Sequence, residues 1–264
     1  GLAYSEMDLS DSIQGTEWTE SEVSPRLGLT YRTPFDTTLH FAAFTYLLPF
    51  QSDRLDPSSV AGIPVYRNGL PGSSTEEIQL MARHEWNNNL VQASLFTVDR
   101  DYDQLLANGT KNKNEIDWDG FEIRLNQYFS NNIGHSIAFG YKNITDTTAD
   151  DGDDAFRYTS QWITPEKRKE FEITDSVKWV HTSGLSLAAY LTYRDIDFSG
   201  SSRPDEDIWL VDLELEKELP NKSGKVRLRT NNVFNQQFNW VTDQFTFDGR
   251  VPEREFMAEF SYYF

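Results

Sequence analysis

The chain has 264 residues and a formal net charge of −18, with 42 acidic against 24 basic residues. That length fits one large β domain or two small ones, and the acidic balance argues against a nucleic-acid partner, which needs a basic surface. Cysteine is absent, which excludes disulfides, thiolate metal sites and cysteine nucleophiles. The mean hydropathy is −0.60, and without a run of about 18 apolar residues the sequence predicts no transmembrane helix.

Alternation of apolar and polar residues predicts strands throughout the first half of the chain. In the second of them, Leu27, Leu29 and Tyr31 share one face because successive side chains of a strand point to opposite sides. The apolar phase changes near Gly120, which predicts a β-bulge at that glycine. The predicted strands of this half are residues 3–9, 23–32, 38–48, 77–86, 90–99 and 116–129.

The second half continues the pattern and ends in the strand with the clearest alternation. The predicted strands are residues 133–141, 170–180, 185–198, 209–216, 226–234 and 256–264. In the last strand one face carries Phe256, Phe260, Tyr262 and the terminal Phe264. An edge strand of a soluble sandwich also alternates, but this aromatic face favours a strand of a β-barrel that turns apolar groups toward lipid and polar groups inward.

The connections between these strands alternate in length. Short turns are predicted at residues 33–36, 87–89, 131–132, 182–184 and 220–224, and long polar loops at 50–74, 103–113, 146–168, 199–206 and 239–250. Bacterial barrels have short periplasmic turns and long external loops, whereas a soluble sandwich has no reason to separate them. The sequence therefore predicts an all-β, antiparallel outer-membrane β-barrel of about 12 strands.

Four short segments resemble TonB-dependent receptors: residues 24–32 and 36–44 are similar to middle barrel strands, and 231–236 and 254–264 to the C-terminal strands. The resemblance implies a 22-stranded barrel with an N-terminal plug and an energy-coupling box, and this sequence contains neither. Segments 54–62 and 251–254 look more like a plugless branch, in which the barrel follows tetratricopeptide repeats. The single domain 1–264 is thus expected to be either a complete barrel or the C-terminal part of a larger one.

The face opposite the apolar positions collects charge. The candidate pore-lining residues are Arg83, Glu85, Glu122, Arg124, Arg194, Asp212, Glu214, Glu216, Arg227, Arg229 and Glu259. Rings of charge inside a pore set ion and solute passage. The alternative is that a wet lumen accepts charges that simply pair across strands, Arg227 and Arg229 with acids of the neighbouring strand.

The sequence signals for metal-binding and catalytic residues are weaker than the strand pattern. Residues 146–154 are rich in aspartate, but the spacing does not fit a calcium-binding loop, so a solvated acidic loop is expected. His84 and His135 fall in the lipid-facing phase and His181 beside a turn, so no histidine is placed next to a nucleophile on the interior face. The sequence predicts no enzyme, no cofactor and no metal site.

These patterns predict a channel that passes a solute or polymer across the outer membrane of a Gram-negative bacterium. Two alternatives stay open: the barrel of a TonB-dependent uptake receptor, and a structural anchor for a periplasmic or surface partner. Expected partners are outer-membrane lipid, a periplasmic repeat domain or other chains, and the barrel assembly machinery, whose signal the resemblance places at Phe256, Phe260, Tyr262 and Phe264. The candidates for the interfacial aromatic girdles are Tyr31, Trp86, Trp179, Tyr193, Trp209 and Tyr262.

Overall fold

One antiparallel sheet of twelve strands contains nearly all of the structure, a computed structural model. The model describes residues 1–11, 16–48, 59–65, 73–105, 111–146, 167–199, 205–237, 239–240, 249–250 and 253–263. The twelve strands are β1 (Leu2–Asp11), β2 (Thr16–Arg32), β3 (Thr37–Leu47), β6 (Ser74–Trp86), β7 (Asn89–Leu105), β8 (Lys111–Ser130), β9 (Ile133–Asp146), β10 (Lys167–Val180), β11 (Leu185–Ser199), β12 (Glu206–Glu218), β13 (Gly224–Asn231) and β16 (Glu255–Tyr262).

Two small hairpins, β4–β5 (Ser59–Val60 and Ile63–Pro64) and β14–β15 (Asn239–Trp240 and Gly249–Arg250), lie within long connections. They were not predicted, because two-residue strands leave no periodicity in a sequence. A 3₁₀ turn covers Pro220–Lys222. In the part of the chain that is described, no helix is long and apolar enough to span a membrane.

Each of the twelve strands pairs with the next one along the chain, in the order β1-β2-β3-β6-β7-β8-β9-β10-β11-β12-β13-β16. The predicted short turns are confirmed, since β6 reaches β7 through two residues and β8 reaches β9 through two. Among the described residues, β1 pairs only with β2, and β16 only with β13. We call the edge with the short turns the turn end and the opposite edge the loop end.

One face of the sheet, which we call the apolar face, is exposed although it is hydrophobic. Leu29 is 64% exposed, Leu80 48% and Leu95 58%. On β10 this face runs from Trp179 to Phe171, eight residue steps, or about 26 Å along the strand and roughly 20 Å in height once tilt is included. That height matches the apolar band of an outer-membrane barrel, about 25 Å.

Aromatic residues lie at both limits of this band. Tyr31 and Trp86 lie at its turn end, as does Trp179, which contacts His181 at 5.5 Å between ring centroids. Tyr193 and Trp209 lie toward the loop end with their ring centroids 4.4 Å apart. The predicted girdle residues therefore occupy the positions that interfacial aromatic rings take.

The other face, which we call the charged face, changes character along the strands. At the turn end its side chains are open, with Arg83 47% and Glu85 59% exposed. At the loop end they are buried and include many apolar groups. These buried residues are Thr75, Val98, Arg100, Ile144, Arg168, Glu170, Ile196 and Ile208, all at most 6% exposed.

This change explains why the predicted bulge at Gly120 is wrong. Pairing of β8 with β7 and β9 continues without a shift through Gly120, and the irregularity lies at Tyr128 to Ser130 instead. Trp118 belongs to the charged face at the loop end, where the guanidinium of Arg100 lies 4.8 Å from its ring centroid. The sequence pattern changes near Gly120 because the charged face becomes apolar there, whereas the strand itself continues without a bulge.

A second correction concerns β13, which ends at Asn231 and not at the predicted residue 234. Asn232 has φ of 49° and starts a turn. Its backbone N–H donates to Asp212 Oδ1 at 2.8 Å, and the N–H of Trp209 donates to Gln236 Oε1 at 3.0 Å. Beyond the end of β13, side-chain oxygens thus accept from one N–H of the turn and from one N–H of β12.

Gly120 provides a test of the packing on the charged face. A Cβ at this position would lie 2.1 Å from the carbonyl oxygen of Tyr141 and 2.9 Å from the ring of Phe96. We expect Gly120→Ala to destabilise the sheet by about 1–3 kcal/mol, because the backbone has to move. Urea unfolding in lipid vesicles, followed by tryptophan fluorescence, measures it.

The matched control is Gly140→Ala in the adjacent strand. A Cβ there meets only the carbonyl oxygen of Phe121, at 4.0 Å. Equal stability of the two variants would contradict the close approach at Gly120.

Candidate pore lining

A network of ion pairs crosses β12, β13 and β16 on the charged face. Arg227 is at its centre: its guanidinium lies 2.8 Å from Glu216, 3.2 Å from Glu259 and 3.8 Å from Glu214. The carboxylates come from both neighbouring strands because Arg227 is paired with Glu216 on one side and Glu259 on the other in the sheet register. The guanidinium of Arg227 thus forms ion pairs with three carboxylates.

Two further pairs extend this network along the strands. Arg229 contacts Asp212 at 3.6 Å, and Lys225 contacts Glu216 at 3.2 Å. Pairing of the two arginines with β12 acids was the predicted alternative to a free pore lining. Glu216 is the nearest acid to Arg227, because the register of β12 and β13 places the two residues opposite each other.

The other predicted pore-lining residues form local pairs. Arg83 donates from Nε to Glu85 at 2.9 Å on β6, Arg124 lies 3.1 Å from Glu122 on β8, and Arg194 reaches across from β11 to Glu172 on β10 at 2.8 Å. The register places all of the predicted pore-lining residues on the charged face. That this face lines a pore stays a prediction.

The C-terminal strand has the expected two faces. Phe256, Phe260 and Tyr262 lie on the apolar face and are 74%, 66% and 54% exposed. Phe264 lies outside the described residues. A role of these residues as an assembly signal remains a prediction.

Three of the histidines lie on or beside the apolar face, as predicted. His84 stacks on Trp86 with ring centroids 5.4 Å apart. His181 lies in the short turn between β10 and β11. His135 has polar partners that the sequence did not reveal, since its ring nitrogens lie 3.3 Å from Gln127 Oε1 and 2.8 Å from Asp175 Oδ1. Asp175 lies midway along the apolar band of β10, where a carboxylate is costly unless paired.

An acidic group beyond the apolar band was also missed by sequence reasoning. Carboxylate oxygens of Asp99, Glu115 and Asp117 lie within 4.8 Å of one another, a spacing that could hold a metal ion. The three residues come from two strands and meet only through the β7–β8 register. The aspartate-rich stretch 147–154, which was considered for calcium, lies outside the described residues.

Crowding changes the ionisation of this group. The pKa of Asp117 is raised to about 6, first by burial and then by the nearby carboxylates of Asp99 and Glu115. Protonation of Asp117 around pH 6 relieves the repulsion between these acids.

Comparison with known proteins identifies the fold. No protein-family model matches the chain, and no curated protein matches it in sequence. Among solved structures, the ferric-catecholate import receptor Fiu of E. coli K12 superposes with a TM-score of 0.55 at 16% identity, covering 94% of this chain and 36% of that structure. The P. aeruginosa receptor FpvA, bound to a heterologous pyoverdine and iron, gives 0.54 at 14% identity over 94% of this chain and 34% of its own.

A third structure, the copper transporter OprC, has a TM-score of 0.58 at 10% identity over 99% of this chain and 44% of its own. This chain thus spans about a third to less than half of the length of these structures. The likeness establishes the fold: the twelve strands are an antiparallel sheet of the outer-membrane β-barrel type, as the sequence predicted.

The acidic group predicts a pH-dependent stability. The folded-state pKa of Asp117, about 6, lies above its ordinary value of 3.8, so the ionised carboxylate opposes folding above pH 6, and below about pH 4 both states hold the proton. Asp117→Asn should therefore stabilise the protein at pH 8, by roughly 1 kcal/mol after solvent screening, and leave it unchanged at pH 4. Urea unfolding of vesicle-embedded protein at the two pH values measures this, and an equal effect at both would contradict it.

Proposed function

We propose that the chain forms part or all of a transport barrel in the bacterial outer membrane, through which a solute or polymer passes. The observation that carries the proposal is the two-faced sheet. Its apolar face is exposed over a height of roughly 20 Å, near that of the apolar band of an outer-membrane barrel, and is bordered by aromatic rings, and its other face carries paired charges. Water alone would not favour such an exposed apolar face, whereas lipid does.

The proposal assigns the charged face to a lumen. Its ion pairs are solvated at the turn end, where Arg83, Glu85 and Arg124 are each about half exposed. At the loop end the same face is buried, with Arg168 and Glu170 paired at 2.7 Å and 5–6% exposed. We infer a barrel that is open toward the periplasm and narrowed at its external end in this conformation.

A receptor for active uptake is the second candidate. The observation that favours it is the pairing of β1 and β16 with one neighbour each among the described residues, together with the 34–44% of the receptor and transporter structures that the chain covers. Unpaired strand edges are not tolerated in lipid. Either β1 closes on β16, which their antiparallel directions permit, or further strands complete a barrel like that of TonB-dependent receptors.

Two further assignments are a plugless branch and an anchoring barrel. A plugless branch preceded by tetratricopeptide repeats rests only on two short sequence segments. An anchoring barrel would not need to pass a solute, so it would not require the open turn end of the charged face. We assign no catalytic role to the chain, and we propose membrane lipid and the barrel assembly machinery as its partners.

Electrical recording tests transport and the role of the charged face together. The protein reconstituted in planar lipid bilayers should conduct ions. Replacing Arg227 and Arg229 together by glutamine removes two of the three cations of the network and leaves Lys225 beside Glu216. We expect the selectivity to shift toward cations by about twofold or more, since fixed lumen charge sets ion preference.

The matched control removes two positive charges outside the network, Lys217→Gln with Lys222→Gln, at the turn end. It should leave the selectivity unchanged. An equal shift in both double variants would contradict the pore lining, and an absence of conductance in the unmodified protein would favour the anchor.

A further inference from the structure

The β4–β5 hairpin, residues 59–65, lies against the charged face of β2 and β3. The connection that contains it leaves β3 after Leu47 at the loop end, yet its Ala61 carbonyl accepts a hydrogen bond from His40 Nδ1 at 2.7 Å. His40 is eight residues from position 48 toward the turn end, or about 26 Å along the strand. The tip of the hairpin therefore lies against the charged face about 26 Å along the strand from position 48.

Apolar packing holds the hairpin in place. Ile63 is fully buried and Val60 is 9% exposed. They form one cluster with residues of the charged face on β3 and β6, namely Ala42, Phe44, Tyr46 and Met81, each at most 4% exposed. These apolar residues belong to the charged face of the sheet, and their contacts with Val60 and Ile63 remove apolar surface from water on both sides.

The tip is fixed by polar contacts as well. The Ala61 carbonyl accepts a second hydrogen bond, from Thr30 Oγ1 at 3.1 Å. Gly62, at φ of 85°, forms the turn. Gly28 makes the close approach possible, because a Cβ there would lie 2.8 Å from Ala61 Cβ and 2.9 Å from Val60 Cγ1.

The hairpin presents small uncharged groups on its free side. Ser59, Gly62 and Pro64 are exposed, and residues 59–65 carry no ionisable side chain. Such a surface occupies space without attracting ions of either sign. The charges of the lining belong to the strands, above all to Arg227 and its acids on β12 and β16.

We propose that the β4–β5 hairpin is a constriction fixed to the inside of the barrel, which limits the size of solutes, while the strand charges determine their sign. The inference rests on the proposed channel. It assigns two separate residue sets to two separable properties of transport, size cut-off and charge selectivity.

A cross-link tests the position of the hairpin independently of conduction. The chain has no cysteine, so Gly28→Cys with Ala61→Cys introduces a single pair whose Cβ atoms need to separate by about 1 Å to reach disulfide geometry. We expect oxidation of the vesicle-embedded protein to join residues 28 and 61, seen by mass spectrometry. The pair Gly140→Cys with Ala61→Cys should stay unjoined, since a Cβ at Gly140 has no atom of Ala61 within 4 Å. Failure of the first pair to join, or joining of both, overturns the position of the hairpin.

Single-channel conductance tests whether the hairpin constricts the passage. Gly28→Leu puts a side chain where the hairpin lies and should displace it, which raises single-channel conductance about twofold and admits larger uncharged polyethylene glycols. Gly140→Leu adds the same side chain to the charged face away from the hairpin and should leave conductance equal or lower. Cation-to-anion selectivity should be unchanged in both.

A second variant, Ile63→Asn, removes the buried contact without altering the strands and should act like Gly28→Leu. Equal or lower conductance in both hairpin variants overturns the constriction, as does a change in charge selectivity. If the unmodified protein and both hairpin variants fail to conduct while residues 28 and 61 still cross-link, the channel proposal fails and the position of the hairpin stands.

Discussion

Continuous backbone hydrogen bonding across the twelve strands is the constraint on which the rest of the structure depends. In lipid every backbone N–H and C=O needs a partner within the protein. Short turns at one edge keep neighbouring strands in antiparallel register, and where β13 stops, Asp212 and Gln236 supply side-chain acceptors. Once the backbone is satisfied in this way, the pleat assigns alternate side chains to two environments, and the two faces can differ as much as they do.

The charged face divides into regions with different physics. At the turn end, solvated pairs such as Arg83 with Glu85 contribute little to stability, because water screens them. At the loop end, Arg168 and Glu170 are buried together, and their mutual contact offsets part of the cost of removing both charges from water. The hairpin at Ala61 and the network around Arg227, both nearer the turn end than the loop end of their strands, define the proposed passage by shape and by charge respectively.

Much of this organisation could be predicted from the sequence, and the failures have physical causes. The twelve strands, their order of turns and loops, and the face of every candidate pore residue followed from period-two alternation, which is a local property. The predicted bulge at Gly120 was wrong because the charged face becomes apolar at the loop end, and alternation cannot tell which of two apolar faces a residue belongs to. The acidic group at Asp117 was missed because its members meet only through pairing of β7 with β8.

The sequence by itself determined that this chain forms an antiparallel sheet with one lipid-compatible face, because side-chain alternation and turn length are written residue by residue. Only the tertiary structure decided which charges meet, since a shift of one residue in register would replace every partner of Arg227. It also decided that residues 59–65 return to the charged face of the sheet beside His40 and Gly28. That return depends on contacts between segments more than twenty residues apart, and no local pattern encodes it.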